Sequence, residues 1–196
     1  FAADVDARVA WYRVGSEDYD LKPFALHFIA GIQQKFPAFG VDLFNTLQSP
    51  GSSPDPLSLA SEVLNEIIRQ IDDFCLVIID DYHLVGEAES IVDFMEVVLN
   101  NLPDQVRFVI SGRSVYGIPA ANLFVREELA TISAEDLRFT AEELQELVRH
   151  NYKLEMSDEQ AEELAKRSDG WIVAIMLSAR SMVGGGAGNR GGDRRN

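Results

Sequence analysis

The chain has 196 residues and a formal net charge of -15, with 46% hydrophobic and 25% charged residues. These values are typical of a globular domain with a sizeable core and argue against intrinsic disorder. An acidic field of this size repels phosphate backbones, so this segment is a poor candidate for direct DNA binding.

The cysteine content and the apolar pattern bear on cellular location. Cys75 is the only cysteine, so no intrachain disulfide can form, which fits a reducing cytoplasm. No apolar stretch approaches the ~20 residues that span a membrane. The first nine residues have neither the basic segment nor the apolar run of a signal peptide. We therefore expect a cytoplasmic protein that does not enter a membrane.

The first two thirds of the chain are predicted to alternate strands and helices, as apolar residues recur with strand or helix spacing. The predicted elements are a strand over 9–14, a helix opened by Pro23, a connection over 36–56, a helix over 57–71, a strand over 75–79, a helix over 91–99, a strand over 106–110 and a short strand over 130–132. This alternation indicates a parallel α/β sheet with right-handed crossovers.

After Ser133 the pattern becomes helical. Thr140 with Glu143, and Ser157 with Gln160, each form a predicted capping box before a helix. The last predicted helix covers 171–182, and a glycine- and arginine-rich tail follows it. The predicted organisation is an α/β core over 1–133, a helical subdomain over 134–183 and a disordered tail over 184–196.

Two carboxylates, Asp80 and Asp81, directly follow the apolar run 76–79. In open α/β sheets, ligands bind at the carboxyl ends of the strands, where one acidic residue can hold magnesium. A second can orient a water molecule for attack on a phosphoryl group. Aspartate also suits the turn after any strand, so these residues alone fit a nucleotide site and an ordinary turn equally well.

Arg113 follows the next predicted strand, in the sequence Ser111-Gly112-Arg113. A guanidinium at this strand end can reach a γ-phosphate and stabilise its charge. Considered alone, Arg113 is explained more simply by an ion pair with one of the 32 acidic residues of the chain.

Six segments, in order, resemble the ATPase domain of the LuxR-type, MalT-like ATP-dependent transcriptional regulators. These regulators are signal-transduction ATPases with numerous domains, and their ATPase domain is AAA+/NB-ARC-like. Residues 76–84 resemble the Walker B region, and residues 111–113 resemble the sensor strand end. The other matching segments are 9–11 with 18–20, 117–123, 134–140 and 168–173. The resemblance covers almost the whole chain from Val9 to Met182.

The resemblance implies ATP or ADP with Mg²⁺ as cofactors. It assigns Asp80 as the magnesium-associated carboxylate and Asp81 as the carboxylate that orients water. Arg113 would sense the γ-phosphate, and Pro119 of the Gly-Ile-Pro segment would lie near the adenine or the sugar. Such regulators rest with ADP, exchange it for ATP on sensing an inducer, and then self-associate to activate transcription. We therefore expect contact with DNA only through a segment absent from this chain.

The residue pattern gives three other residues no chemical role. Tyr82 and His83 match the Walker B motif, and His27 falls in a predicted helix, but nothing in the residue pattern assigns chemistry to any of them.

The sequence departs from the family at the phosphate-binding loop. That loop needs glycine-rich backbone and a lysine next to serine or threonine, and no Gly-Lys pair occurs in the chain. In the family, the loop and the first strand precede the position of Phe1. We therefore expect a chain truncated at its amino end, a P-loop NTPase-like parallel sheet that is incomplete because it lacks its first strand, and poor ATP hydrolysis.

The family's first strand lies between the strands corresponding to 106–110 and 130–132. Without it, the sequence predicts a rearranged sheet or an unpaired apolar edge that favours association. Two functional hypotheses follow. The chain is the core of a nucleotide-dependent switch that uses Asp80, Asp81 and Arg113, or it is a degenerate, non-enzymatic protein-interaction domain of the same fold.

Overall fold

The computed structural model describes residues 8–153, 155–169 and 171 of the chain. The chain divides into two compact units, one ending at Leu129 and one beginning at Ala130. Apart from Trp171, the predicted last helix and the predicted disordered tail lie outside the described residues. No helix in the described part is both long and apolar enough to cross a membrane.

The first unit alternates strands and helices, as the sequence predicts. Its elements are β1 (Arg8–Arg13), α1 (Leu21–Gln33), α2 (Val41–Gln48), α3 (Pro56–Gln70), β2 (Cys75–Asp80), α4 (Glu89–Asn100), β3 (Val106–Ile110) and α5 (Ala121–Val125). Short 3-10 turns lie at Ser16–Tyr19 and Tyr82–Leu84.

The three strands form one parallel sheet in the order β1-β2-β3, with helices on both sides. In the register, Arg13 of β1 lies beside Asp80 of β2, and Ile79 of β2 lies beside Ile110 of β3. The first five residues of the central strand β2 are all buried, as expected for a parallel strand covered on both faces. The architecture confirms an α/β, P-loop NTPase-like fragment.

Two predicted segments differ from the structure. The connection over 36–56 contains a helix, α2, because Leu43 and Leu47 are spaced by one turn and pack into the core. The predicted strand over 130–132 is wrong, since these residues form neither a strand nor a helix. Within the described residues β3 therefore pairs only with β2, so its other edge is open. Phe108 and Ile110 of β3 are half-buried.

An aromatic cluster joins helices α1 and α4 to strand β3. The ring of Phe28 lies 6.3 Å from Phe24, 6.1 Å from Phe94 and 6.1 Å from Phe108, measured between ring centres. Phe24, Phe28 and Phe94 are fully buried. These separations are within the range in which aromatic pairs attract one another beyond simple burial. The cluster therefore fixes β3 against the helices and so positions the end of that strand.

Cys75 lies fully buried at the start of β2, as predicted for a small hydrophobic residue. Burial raises the pKa of the Cys75 thiol to about 11. A raised pKa keeps the group as an unreactive thiol at pH 8, because only the thiolate attacks.

We therefore expect native Cys75 to react with a disulfide reagent at pH 8 roughly 100-fold or more slowly than the same chain in urea. The reaction is followed by absorbance, and similar rates in the native and unfolded chains would contradict the buried position.

The second unit contains two helices, α6 (Ala141–Tyr152) and α7 (Asp158–Ser168). Both predicted capping boxes are present: the side chains of Thr140 and Ser157 accept hydrogen bonds from the backbone N–H groups of Glu143 and Gln160. The buried side chains of Leu144, Val148 and Leu164 form a small core between the two helices.

Candidate functional site

Asp80 and Asp81 lie at the carboxyl end of the central strand. Asp80 is the last residue of β2, and Asp81 follows in the left-handed backbone region with φ 59°. Aspartate tolerates that region better than most residues. Both carboxylates are partly exposed, and Val14 donates its backbone N–H to the Asp80 carbonyl across 2.9 Å. We call this end of β1, β2 and β3 the acidic rim, formed by Arg13, Asp80, Asp81 and Ser111.

One oxygen of Asp80 is occupied by protein donors. Its Oδ1 accepts hydrogen bonds from the Ser111 hydroxyl and, across 3.0 Å, from the Asp81 backbone N–H. Within the described residues, Oδ2 has no hydrogen-bond partner. These two bonds fix the carboxylate and leave one oxygen free to bind a ligand.

The donor set at the rim fits magnesium better than a metal held wholly by protein. No group of three or more His, Cys, Asp or Glu side chains within the described ranges could hold an ion. Magnesium keeps several waters and uses one or two carboxylates together with substrate phosphates. Asp80, oriented by Ser111, is a carboxylate that could hold an ion in this way.

Asp81 is held by Arg13, a residue for which the sequence predicted no role. The Arg13 Nε donates to Asp81 Oδ2 across 2.9 Å, and the Arg13 side chain is 74% exposed. The His83 Nδ1 lies 4.0 Å from the other carboxylate oxygen, buried and without a hydrogen-bond partner in the described part. An exposed ion pair of this kind contributes about 1 kcal/mol or less, so Arg13 can exchange partners readily.

The end of β3 is joined to the acidic rim through backbone hydrogen bonds. Ser111 donates its N–H to the Ile79 carbonyl across 2.9 Å, and Tyr82 donates its N–H to the Ser111 carbonyl across 3.0 Å. Gly112 lies against His83, since a Cβ at Gly112 would be 3.2 Å from the backbone nitrogen of His83. Arg113 follows on the same segment with an exposed side chain, and in the described chain it forms no ion pair. No carboxylate among the described residues therefore pairs with Arg113 to explain it as a surface ion pair.

Tyr82 links the acidic rim to the Gly-Ile-Pro segment. Its ring is 1% exposed, and its hydroxyl donates to the Gly117 carbonyl across 3.1 Å. Burial raises the pKa of Tyr82 well above its ordinary value, so the phenol stays a neutral donor. Pro119, two residues after Gly117, is half-buried. The sequence assigned Tyr82 no role, although Tyr82 follows two aspartates and matches the Walker B motif.

A buried carboxylate lies in the turn after β1. Asp18 is 1% exposed; its Oδ2 accepts a hydrogen bond from the Gly15 N–H across 2.7 Å, and its Oδ1 lies 2.5 Å from the His27 Nδ1. The buried Tyr12 is nearby, and burial, reinforced by Asp18, raises the pKa of its phenol. Asp18 thus ties the turn to α1, which gives His27 a structural role that its helical position alone did not show.

A groove of the first unit lies away from the acidic rim. It has a volume of about 600 Å³, and its walls come from α3, α4 and α5. Its lining includes Leu57, Asp93 and Arg126, and none of its residues belongs to the acidic rim. The candidate site is therefore defined by the side chains at the strand ends and their hydrogen bonds, and not by this groove.

Comparison with known proteins places the chain beside two kinds of larger protein. The chain is similar to MalT-type regulators. It is 28% identical over 171 residues to the HTH-type transcriptional regulator MalT of Vibrio parahaemolyticus, which covers 87% of this chain and 19% of that protein. MalT of Yersinia pestis is 25% identical over 181 residues, 92% of this chain and 20% of the regulator.

The second kind is a kinase by name. The serine/threonine-protein kinase PknK of Mycobacterium tuberculosis is 28% identical over 180 residues, 92% of this chain and 16% of the kinase. No protein-family model matches the chain. The chain therefore spans a fifth or less of the length of these relatives. The similarity covers about nine tenths of this chain and supports its resemblance to the regulators' ATPase-type domain.

Proposed function

We propose that this chain is the core of a nucleotide-dependent switch in a signal-transducing transcriptional regulator. The observation that carries the proposal is the acidic rim, where a buried parallel strand ends in Asp80 and Asp81 beside Ser111 and Arg13. In parallel α/β sheets, this edge is where nucleotides and their metal ions bind. The similarity of the chain to MalT over about nine tenths of its length agrees with this function.

Each rim residue has a proposed task in binding ATP or ADP with Mg²⁺. Asp80 offers its free Oδ2 to the metal, while Ser111 holds the other oxygen. Asp81 orients the attacking water once Arg13 turns from it to a phosphate oxygen, an exchange favoured by the exposure of Arg13. Arg113 contacts the γ-phosphate from the end of β3, and Pro119 borders the adenine or the sugar.

The named activities of the relatives do not transfer as wholes. One kind of relative is named a transcriptional regulator and the other a kinase, yet both contain a segment similar to this chain. A switch module shared by both explains the similarity better than either whole activity. Self-association in the ATP state and contact with DNA through another segment of the regulator are further parts of the same proposal.

The alternative is a non-enzymatic protein-interaction domain of the same fold. One sequence feature favours it: no Gly-Lys pair is present to supply the amides and ammonium that cradle phosphates. Among the residues that the structure describes, the second edge of β3 is open and offers unpaired backbone groups to another chain. On this reading Asp80 and Asp81 only end the strand.

Titration calorimetry of Mg-ATP, at concentrations up to the millimolar range, tests the switch. The Asp80→Asn variant is expected to weaken Mg-ATP binding by at least the roughly 10- to 100-fold that loss of a metal's outer partners costs. In the presence of a magnesium chelator, the variant and the unaltered chain should bind ATP with similar affinity, because the substitution removes only a ligand of the metal.

Asp42→Asn is the matched control, since it removes the same charge from an exposed position on α2. It should leave Mg-ATP affinity unchanged. Equal weakening by both variants would reduce the effect to net charge. Absence of any Mg-ATP binding would contradict the switch and favour the interaction domain.

A further inference from the structure

The chain around Tyr82 and the chain around Gly117 meet backbone to backbone. A Cβ at Gly117 would overlap the Gly86 carbonyl oxygen and lie 2.6 Å from the Gly86 Cα. A Cβ at Gly86 would likewise overlap the Tyr116 carbonyl oxygen. Only residues without a side chain allow this approach, and the two backbones are in direct contact with no room for water between them.

The Tyr82 hydroxyl closes the same contact from the side of the acidic rim. Its bond to the Gly117 carbonyl spans 35 positions in sequence and joins a residue adjacent to Asp81 to a residue two before Pro119. The ring is buried at 1% exposure, so it has a single position from which to donate. Two local bonds then shape the segment: Ile118 donates to Val115 across 3.2 Å, and Ala120 donates to Ile118 across 2.8 Å.

We propose that Tyr82 is a positioning residue that couples the acidic rim to the Gly-Ile-Pro segment, so that a metal-bound nucleotide at the rim orders residues 117–120. This inference rests on the proposed nucleotide function. It adds the route by which binding of the phosphates at the acidic rim changes the order of the segment 117–120 near the base. The route consists of the Tyr82 hydrogen bond and the Gly86–Gly117 contact. A nucleotide that pulls on Asp80 and Asp81 moves the residue next to them, and Tyr82 transmits that displacement to Gly117.

The test uses Tyr82→Phe, which keeps the buried ring and removes only the donor. Hydrogen exchange by NMR is measured at the Ile118 and Ala120 amides. Without nucleotide, the variant is expected to exchange these amides roughly 2- to 10-fold faster than the unaltered chain, the effect of losing one ordinary hydrogen bond. Equal exchange in the two proteins would overturn the coupling.

Tyr12→Phe is the matched control. Tyr12 is also a buried tyrosine, but it lies on β1, beside Asp18 rather than Gly117. It should leave exchange at Ile118 and Ala120 unchanged.

Adding Mg-ADP separates coupling from simple support. In the unaltered chain, Mg-ADP is expected to slow exchange both at the rim amides of Asp81 and Tyr82 and at Ile118 and Ala120. In Tyr82→Phe, the rim amides should still be protected, whereas the Ile118 and Ala120 amides should no longer respond. A tyrosine that merely stabilised the fold would leave the response of both segments intact.

The outcomes distinguish the two proposals. Protection of the rim together with an unchanged response of Ile118 and Ala120 in Tyr82→Phe would overturn the coupling and leave the nucleotide function standing. In the unaltered chain, protection of the rim amides alone would also overturn only the coupling. Absence of protection at both segments would overturn the nucleotide function and the coupling that rests on it.

Discussion

Replacing Phe28 by alanine is expected to lower the free energy of unfolding of the first unit by about 3–5 kcal/mol. Phe28 is fully buried on α1, and its ring is in contact range of aromatic rings on α1, α4 and β3. The substitution removes the buried ring and leaves a cavity that close-packed neighbours fill only in part. Because domains are stable by about 5–15 kcal/mol, this one change removes a large share of the total.

Urea denaturation followed by circular dichroism measures the change, with Phe124→Ala as the control. Phe124 lies on α5 with 73% of its surface exposed, so the same truncation should change the free energy of unfolding by only about 0.5 kcal/mol. A loss below about 1 kcal/mol for Phe28→Ala would show that the aromatic cluster does not hold β3 to the helices.

The cluster bears on the proposed function because the end of β3 forms part of the acidic rim through Ser111. Phe108 lies in β3, three residues before Ser111, whose hydroxyl holds the Asp80 carboxylate. In the described part of the chain β3 pairs with β2 alone, so only β2 and the residues packed on its faces hold it in place. Packing of Phe28 on Phe108 therefore helps to fix β3, and with it the positions of Ser111 and Arg113, where a second neighbouring strand would otherwise do so.

Local sequence signals predicted the strands of the sheet and the helix starts well. The strand over 106–110 was predicted with its observed bounds, and the predicted strand over 75–79 ends one residue before β2 does. Both capping boxes form, because a side chain three residues from its partner needs no tertiary contact. The position of Asp80 at the strand end followed from the same local pattern.

The failures share a non-local cause. A three-residue segment such as 130–132 becomes a strand only when a neighbour pairs with it, and no local signal reveals that neighbour. Helix α2 was missed because its flanking Gly40 and Pro50 marked a loop more strongly than Leu43 and Leu47 marked a helix.

Within the site, the sequence placed Asp80 and Asp81 but not the residues that hold the rim together. The Arg13–Asp81 and Tyr82–Gly117 bonds join positions 68 and 35 residues apart. Both depend on the register of the sheet and on side-chain directions, which no spacing in a single sequence encodes. The proposed roles of Arg113 and Pro119 stay predictions, as they depend on a bound nucleotide.

Replacing Gly117 by alanine is expected to cost more than the same change at Gly51, although both glycines have nearly the same backbone angle. Gly117 has φ 74° and Gly51 has φ 78°, so alanine meets a similar left-handed penalty of about 1–2 kcal/mol at each site. The surroundings differ: a Cβ at Gly51 meets nothing within 4 Å, whereas one at Gly117 overlaps the backbone of Gly86.

The overlap adds a cost of about 1–3 kcal/mol, the range for forcing atoms into a packed interior. The chain can absorb it by losing global stability or by releasing residues 117–120 from Gly86. Urea denaturation detects the first response, and faster exchange at the Ile118 and Ala120 amides detects the second. Gly51→Ala has the same backbone strain, and it should show neither the additional loss of stability nor the faster exchange at Ile118 and Ala120. If the two variants matched in both measurements, the close approach of Gly86 and Gly117 would not constrain the fold, because strain at φ alone would then account for the whole effect.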